Sequence, residues 1–127
     1  MPDNSFIQIT DLESLDRFLD QAEGGAAVIL KHSNMCGVSH RAYQEMAQFG
    51  GRVGLVTVQT AREVSKEIEK RTGVEHESPQ ILILRQGQVK WAASHRQITV
   101  AAVRAAISEL ANHEHQNIDN GEGTNNQ

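Results

Sequence analysis

Short apolar runs and amphipathic stretches alternate along this chain, with glycines between them. That alternation narrows the available folds more than any other feature. Phe6-Ile7-Gln8-Ile9 reads as a short strand. Thr10-Asp11-Leu12-Glu13 has the capping-box pattern, and Leu12, Leu15, Leu19 and Ala22 then recur at helical spacing as far as Gly24-Gly25. The compact apolar run Ala26–Lys31 reads as a buried strand. A second helix follows Cys36, with Val38, Ala42, Met46 and Phe49 on one stripe, and Gly50-Gly51 ends it. Arg52–Val58 is the next strand, in which Gly54 marks a bulge or a close approach. Thr60-Ala61-Arg62-Glu63 repeats the capping-box pattern and opens a helix to about Arg71, closed by Gly73. Its Lys66, Lys70 and Arg71, with Glu67 and Glu69, read as a solvated face. Gln80–Arg85 and Gln88–Ser94 flank Gln86-Gly87 as a β-hairpin, and Thr99 caps a last helix with Val100, Val103, Ile107 and Leu110 facing inward.

The order β-α-β-α-β-α-β-β-α implies parallel pairing through right-handed crossovers, with the terminal hairpin as an antiparallel edge. The fold class expected is α/β, a sandwich built on one mixed central sheet. At 127 residues the chain suits one domain, and a chain of that size buries about two-thirds of its unfolded surface, enough for a core without staples. The domain is expected over residues 1–111. Residues 112–127, NHEHQNIDNGEGTNNQ, hold three acids, no Lys or Arg and one aliphatic residue, Ile118. Such a segment buries too little to offset its ordering entropy and is expected to be a disordered tail. The two histidines in it, His113 and His115, make no metal site by themselves.

Composition excludes several function classes. The net charge is −4 and five residues are aromatic, without the basic footprint and stacking rings of a nucleic-acid binder. No apolar run approaches the ~18–20 residues of a membrane span, and the acidic N-terminus lacks the basic region of a signal peptide. One cysteine forms no internal disulfide and no Cys-rich zinc pattern. Neither nucleic acid nor membrane is therefore expected as a partner, and the reducing cytoplasm is the expected location.

The chemistry-bearing residues lie at two places. Cys36 falls where a strong strand hands over to a helix, at the strand end where ligands gather in open α/β sheets. A thiol at a helix N-terminus sits beside unpaired N–H groups and the positive dipole end, both of which favour thiolate. Gly37 leaves room around the sulfur, the main chain of Gly37, Val38 and Ser39 offers donors, and the Ser39 hydroxyl is one helical turn away. His32, in the loop leaving the strand, would lower the thiol pKa as an imidazolium or would bond only the backbone. Cys36, His32 and His40 offer too few ligands for a metal, so no metal site is expected. The second place is Ser78-Pro79-Gln80, just before a strand. A cis Ser78–Pro79 bond would free the Ser78 main chain to pair with an extended substrate. A lone cysteine is more often a small buried hydrophobe, but its position with Gly37, Ser39 and Pro79 favours a nucleophile.

These residues carry a family resemblance. Cys36-Gly37-Val38-Ser39 followed some forty residues later by a proline before a hairpin resembles the thioredoxin fold, with the nucleophilic cysteine at Cys36 and a serine, Ser39, at the resolving position. More narrowly, Leu30-Lys31-His32-Ser33, His76-Glu77-Ser78-Pro79-Gln80 and Trp91-Ala92-Ala93-Ser94-His95 resemble the YtxJ family of monothiol bacilliredoxins over about residues 5–112. The resemblance implies a thioredoxin-like three-layer sandwich with an extra N-terminal strand and helix. It also implies a monothiol thiol–disulfide oxidoreductase that removes a low-molecular-weight thiol, bacillithiol, from client proteins. That thiol would be a co-substrate, with no bound cofactor. Cys36 would be catalytic, Gly37, Val38, Ser39 and His32 would support the thiolate, and Ser78, Pro79, Trp91 and His95 would meet the substrate. The family usually reads Thr-Cys-Pro-Ile-Ser where this chain has Met35-Cys36-Gly37-Val38-Ser39. That departure approaches the Cys-Gly-Phe-Ser of monothiol glutaredoxins, which carry [2Fe–2S] clusters. Those proteins, however, place Gly-Gly-x-Asp where this chain has Ala92-Ala93-Ser94-His95. A cluster carrier and a non-catalytic interaction module are the two rival functions.

Overall fold

In the computed structural model, residues 6–22, 25–35 and 37–123 are described, with side chains as far as Ala111. The elements run β1 (Phe6–Gln8), α1 (Leu12–Asp20), β2 (Ala26–His32), α2 (Gly37–Ala47), β3 (Val53–Thr57), α3 (Arg62–Thr72), β4 (Gln80–Arg85), β5 (Gln88–Ser94), a 3₁₀ turn (His95–Gln97) and α4 (Val100–Gly123). The strands form one sheet in the order β1-β3-β2-β4-β5. The β-α-β units give parallel pairs of β1 with β3 and of β3 with β2, whereas β4 is antiparallel to both β2 and β5. The sheet is mixed, as the alternation of elements requires. Its hairpin turns on Gln86 and Gly87, both at positive φ, the turn whose twist matches the flanking strands.

Successive strand residues face opposite sides of the sheet, so each buried strand feeds two cores. Ala27, Ile29, Val56, Leu82 and Leu84 pack on one side with Leu15 and Phe18 of α1 and Val64 and Ile68 of α3. Val28, Leu30, Leu55, Ile81 and Ile83 pack on the other with Ala42 and Met46 of α2 and Val103 of α4. Three layers result. Among the described residues no helix is long and apolar enough to cross a membrane.

Local chemistry departs from the sequence reading at several points. The cap of α1 is Asp11, one residue later than Thr10. Its carboxylate accepts from the Ser14 N–H at 2.8 Å, and Ser14 Oγ accepts from the Asp11 N–H at 3.1 Å. The buried residues of α1 are Leu15 and Phe18, with Leu12, Leu19 and Ala22 partly buried against the same core. Helix α3 starts after Ala61 with no side-chain cap, because Thr60 is used in the preceding turn, where its N–H donates to the Thr57 carbonyl. Arg71 is not part of a purely solvated face. It bridges Glu67 and Asp16, each at 2.8 Å, and so ties α3 to α1.

The backbone of α4 continues to Gly123, twelve residues into the segment expected to be disordered. Extending a nucleated helix adds one hydrogen bond per residue fixed, so an already packed α4 can propagate through a sequence that would not start a helix. Residues 124–127 lie outside the described residues.

Gly54 is a close-approach site rather than a bulge. A Cβ there would lie 2.6 Å from Ile9 Cδ1 and 2.9 Å from Phe18 Cε2. Phe18 is fixed from the far side by Arg52, whose guanidinium carbon is 4.5 Å from the ring centroid. Gly54→Ala is therefore expected to lower the unfolding free energy by about 1–3 kcal/mol through overpacking, measured as a lower urea midpoint with unchanged slope.

Candidate active site

The carboxyl end of β2 carries two polar residues in succession, and the pleat sends them to opposite faces. His32 turns towards α2, and Lys31 turns towards α3. Because β2 and β4 are antiparallel with Lys31 opposite Gln80, the last residues of β2 lie beside the first of β4. Gln80 in turn faces Ser94, so the end of β5 arrives at the same place. Three segments far apart in sequence therefore meet at one sheet end: residues 33–35 with Gly37, Ser78-Pro79, and Ser94-His95.

On the α2 side, His32 Nδ1 is 2.9 Å from Ser39 Oγ, and Ser39 Oγ also accepts the Ser33 N–H at 2.7 Å. Both side chains are buried. The Ser39 hydroxyl thus clamps the first turn of α2 to the end of β2. Burial pushes the His32 pKa below its ordinary value, against the hydrogen bond from Ser39, so the ring is uncharged at neutral pH. Its Nδ1 there bonds a side chain, that of Ser39. Residues 33–35 are held from the other side by Gln59, which donates to Ser33 Oγ at 2.8 Å and accepts from the Asn34 N–H at 3.2 Å. Cys36 itself lies outside the described residues. Of its neighbours, Met35 is 86% exposed and Gly37 opens α2. The first-turn N–H groups of that helix have no intrahelical partners.

Facing α2 is a wall formed by the cis Ser78–Pro79 peptide and the turn after β5. Pro79 is buried, and its carbonyl accepts the His95 N–H at 3.0 Å. His95 sits at φ 55°, a left-handed conformation unusual for a residue with a Cβ, and its Nε2 is 3.5 Å from Glu77 Oε1. Val38 of α2 and Ser94, His95, Arg96 and Gln97 line one open cavity of about 460 Å³. Among the described residues Ser78 Oγ has no hydrogen-bond partner. The structure thus brings Gly37, Val38, Ser39, His32, Ser78, Pro79 and His95 to one end of the sheet. It does not bring Trp91 there. Three residues back along β5, Trp91 pairs with Ile83 and lies against α4, beside Ala102 and Ala106.

The sequence reading missed a second polar cluster on the α3 side. Lys31 is fully buried; its Nζ donates to the Ser65 carbonyl at 3.2 Å and lies 3.3 Å from His76 Nδ1. Ser65 Oγ is 3.1 Å from the same ring nitrogen, and Glu69 Oε2 accepts the His76 N–H at 3.1 Å. Desolvation pushes the Lys31 pKa down to about 8, with Glu69 opposing it. The His76 pKa is also lowered, by burial first and then by the Lys31 charge. A charged ammonium only donates, so His76 Nδ1 accepts and the ring proton sits on Nε2. The one signal in the sequence was a lysine ending an otherwise apolar strand.

Comparison with known proteins bears on the family and the fold. Residues 7–103 match the family model of the monothiol bacilliredoxin BrxC. A solved structure described as a thioredoxin-fold protein and candidate oxidoreductase is 28% identical. That match covers 83% of this chain and 96% of the other, with a TM-score of 0.76. Thioredoxin from Fasciola hepatica is 12% identical, with 80% of this chain and 96% of the other covered and a TM-score of 0.66. Oxidised mitochondrial thioredoxin 3 from Saccharomyces cerevisiae is 16% identical, with 86% and 99% covered and a TM-score of 0.63. The two thioredoxins bear on the fold alone. The thioredoxin-like α/β architecture expected from the sequence is the one observed.

Two outcomes follow from the clusters on the two faces. Ser39→Ala strips partners from the Ser33 N–H and His32 Nδ1, and is expected to cost about 1–3 kcal/mol in urea denaturation. Burial takes the Lys31 pKa from its ordinary 10.5 down to about 8 in the folded chain. Between those values the unfolded chain binds the extra proton, so its contribution makes stability rise with pH, by about 3 kcal/mol in full. Urea titrations from pH 7 to 11 should show that rise in the wild type relative to Lys31→Met; parallel curves would contradict it.

Proposed function

This chain belongs to the monothiol bacilliredoxin family, and on that premise we propose that it removes a low-molecular-weight thiol from protein mixed disulfides through Cys36. Family and fold make it a thioredoxin-like redox protein. The finer reading rests on one observation. In sequence the only cysteine of the chain lies between Met35 and Gly37, and Gly37 opens α2 at the sheet end where Pro79 and His95 also meet.

In the reaction, the Cys36 thiolate attacks the small-thiol sulfur of the mixed disulfide. A new disulfide forms between Cys36 and the small thiol, the old bond breaks, and the client leaves as a thiolate that takes up a proton. A second small thiol, as its thiolate, then attacks the disulfide on Cys36. It releases a small-thiol disulfide and restores Cys36. With Ser39 at the resolving position and engaged by Ser33 and His32, an external thiol completes each cycle.

The chain's own groups have distinct parts in this scheme. The unpaired N–H groups opening α2 and the positive end of the helix stabilise thiolate at Cys36. The Ser39 clamp keeps that turn in register with β2. Ser78, outside the β4 ladder and next to buried Pro79, lies where an extended client segment would run. The cavity between Val38 and His95 gives further room for the client side of the disulfide. Bacillithiol as the small thiol, thiolated proteins as clients and the cytoplasm as location belong to this proposal. A reducing compartment would supply the second thiol.

The test is the rate of Cys36 alkylation against pH, with mass spectrometry after incubation with a bacillithiol-modified client. The expected midpoint lies at least one unit below the ordinary thiol value of about 8.5, and one bacillithiol should transfer to Cys36. Cys36→Ser should abolish the transfer. A midpoint near 8.5 with no adduct would remove the proposal.

A further inference from the structure

A second cavity, of about 410 Å³, opens between the end of β3, one face of α3 and the 74–77 connection. Its charges are unbalanced. Arg62 and Lys66, one turn apart on α3, stand on its wall and are exposed, and neither has an ion-pair partner among the described residues. Glu69 is the acid in the wall, and its carboxylate already accepts the His76 main-chain N–H. Behind Ser65 and His76, both of which line the cavity, sits the fully buried Lys31 ammonium. No described carboxylate lies within ion-pair distance of it, and Glu69 acts on it only from further off. A buried charge without a counter-ion is costly, and an anion in the adjoining cavity would relieve it.

The donors suit a particular anion. The Arg62 guanidinium offers a planar pair of N–H groups that matches a carboxylate, Lys66 adds a point charge, and His76 Nε2 carries a proton. One acid in the wall offsets part of the field, which favours a singly charged group over a phosphate. The cavity also touches the proposed exchange site. Gln59 lines it and holds both Ser33 and Asn34, the residues that lead to Cys36.

We propose that this cavity binds a carboxylate of a small solute, and that the solute is the low-molecular-weight thiol exchanged at Cys36. The identity of the solute rests on the function proposed above; the carboxylate site does not. Anchoring a carboxylate here would hold the small thiol by a part remote from its sulfur. The site would then select the small-thiol side of a mixed disulfide as the sulfur that Cys36 attacks.

Two measurements on the full chain test it, each on the wild type and on the Arg62→Ala/Lys66→Ala variant, whose substitutions are exposed. The first is a titration with succinate, a thiol-free dicarboxylate, followed by NMR at the amides of Gln59, Ser65, Lys66 and His76. Saturable shifts are expected, with affinity about tenfold weaker in the variant, the effect of losing one or two charge-assisted contacts. The second is steady-state removal of bacillithiol from a modified client, where KM is expected to rise about tenfold with kcat held within about twofold. Transfer without succinate shifts would overturn the carboxylate site and leave the proposed function standing. Succinate shifts in a wild type that transfers nothing would retire the proposed function and keep the site. Succinate binding lost in the variant without a change in KM would overturn the assignment to the small thiol.

Discussion

The site depends on the antiparallel register of β2 against β4. With Lys31 opposite Gln80, the strand that leads to Cys36 ends where the strand that follows Pro79 begins. A parallel pairing would send those two ends to opposite edges of the sheet. The hairpin to β5 extends the same logic, because Gln80 also faces Ser94 and the Pro79 carbonyl takes the His95 N–H. Backbone hydrogen bonding alone thus brings together residues forty to sixty positions apart.

The strand pleat then divides the chemistry between two faces. Lys31 and His32 are adjacent in sequence yet serve opposite layers. His32 fixes α2 through Ser39, and Lys31 fixes α3 and the 74–77 connection through Ser65 and His76. Ser33 and Asn34 are gripped between the layers, by Ser39 from one side and Gln59 from the other. Both buried bases are pushed towards their neutral forms by desolvation. Only Lys31 keeps its charge at neutral pH, which makes the α3 side the electropositive one.

Much of this was legible in the sequence, for reasons that also explain the failures. Strand and helix periods differ sharply, so the order of elements and the mixed sheet followed from the pattern of Ala26–Lys31, Gln80–Arg85 and their neighbours. Caps depend on which of several adjacent polar residues folds back, so Asp11 displaced Thr10. The Lys31–His76 contact spans forty-five positions and exists only once the strand register is fixed, so no local pattern could announce it. The family resemblance implies that Trp91 and His95 both meet the substrate. The pleat puts the tryptophan against α4, and the turn takes His95 to Pro79.

The measurement that tests the central claim most directly is an amide map of the protein before and after trapping bacillithiol as a mixed disulfide on Cys36. If the β2–β4 register builds one exchange site, the perturbed amides are those of Gly37, Val38, Ser78, Gln80 and His95, together with Gln59 and His76. The amides of Ala102, Ala106 and the rest of α4 beside Trp91 stay in place. Perturbations centred on α4, or a trapped adduct that leaves Ser78 and His95 unmoved, would contradict the account.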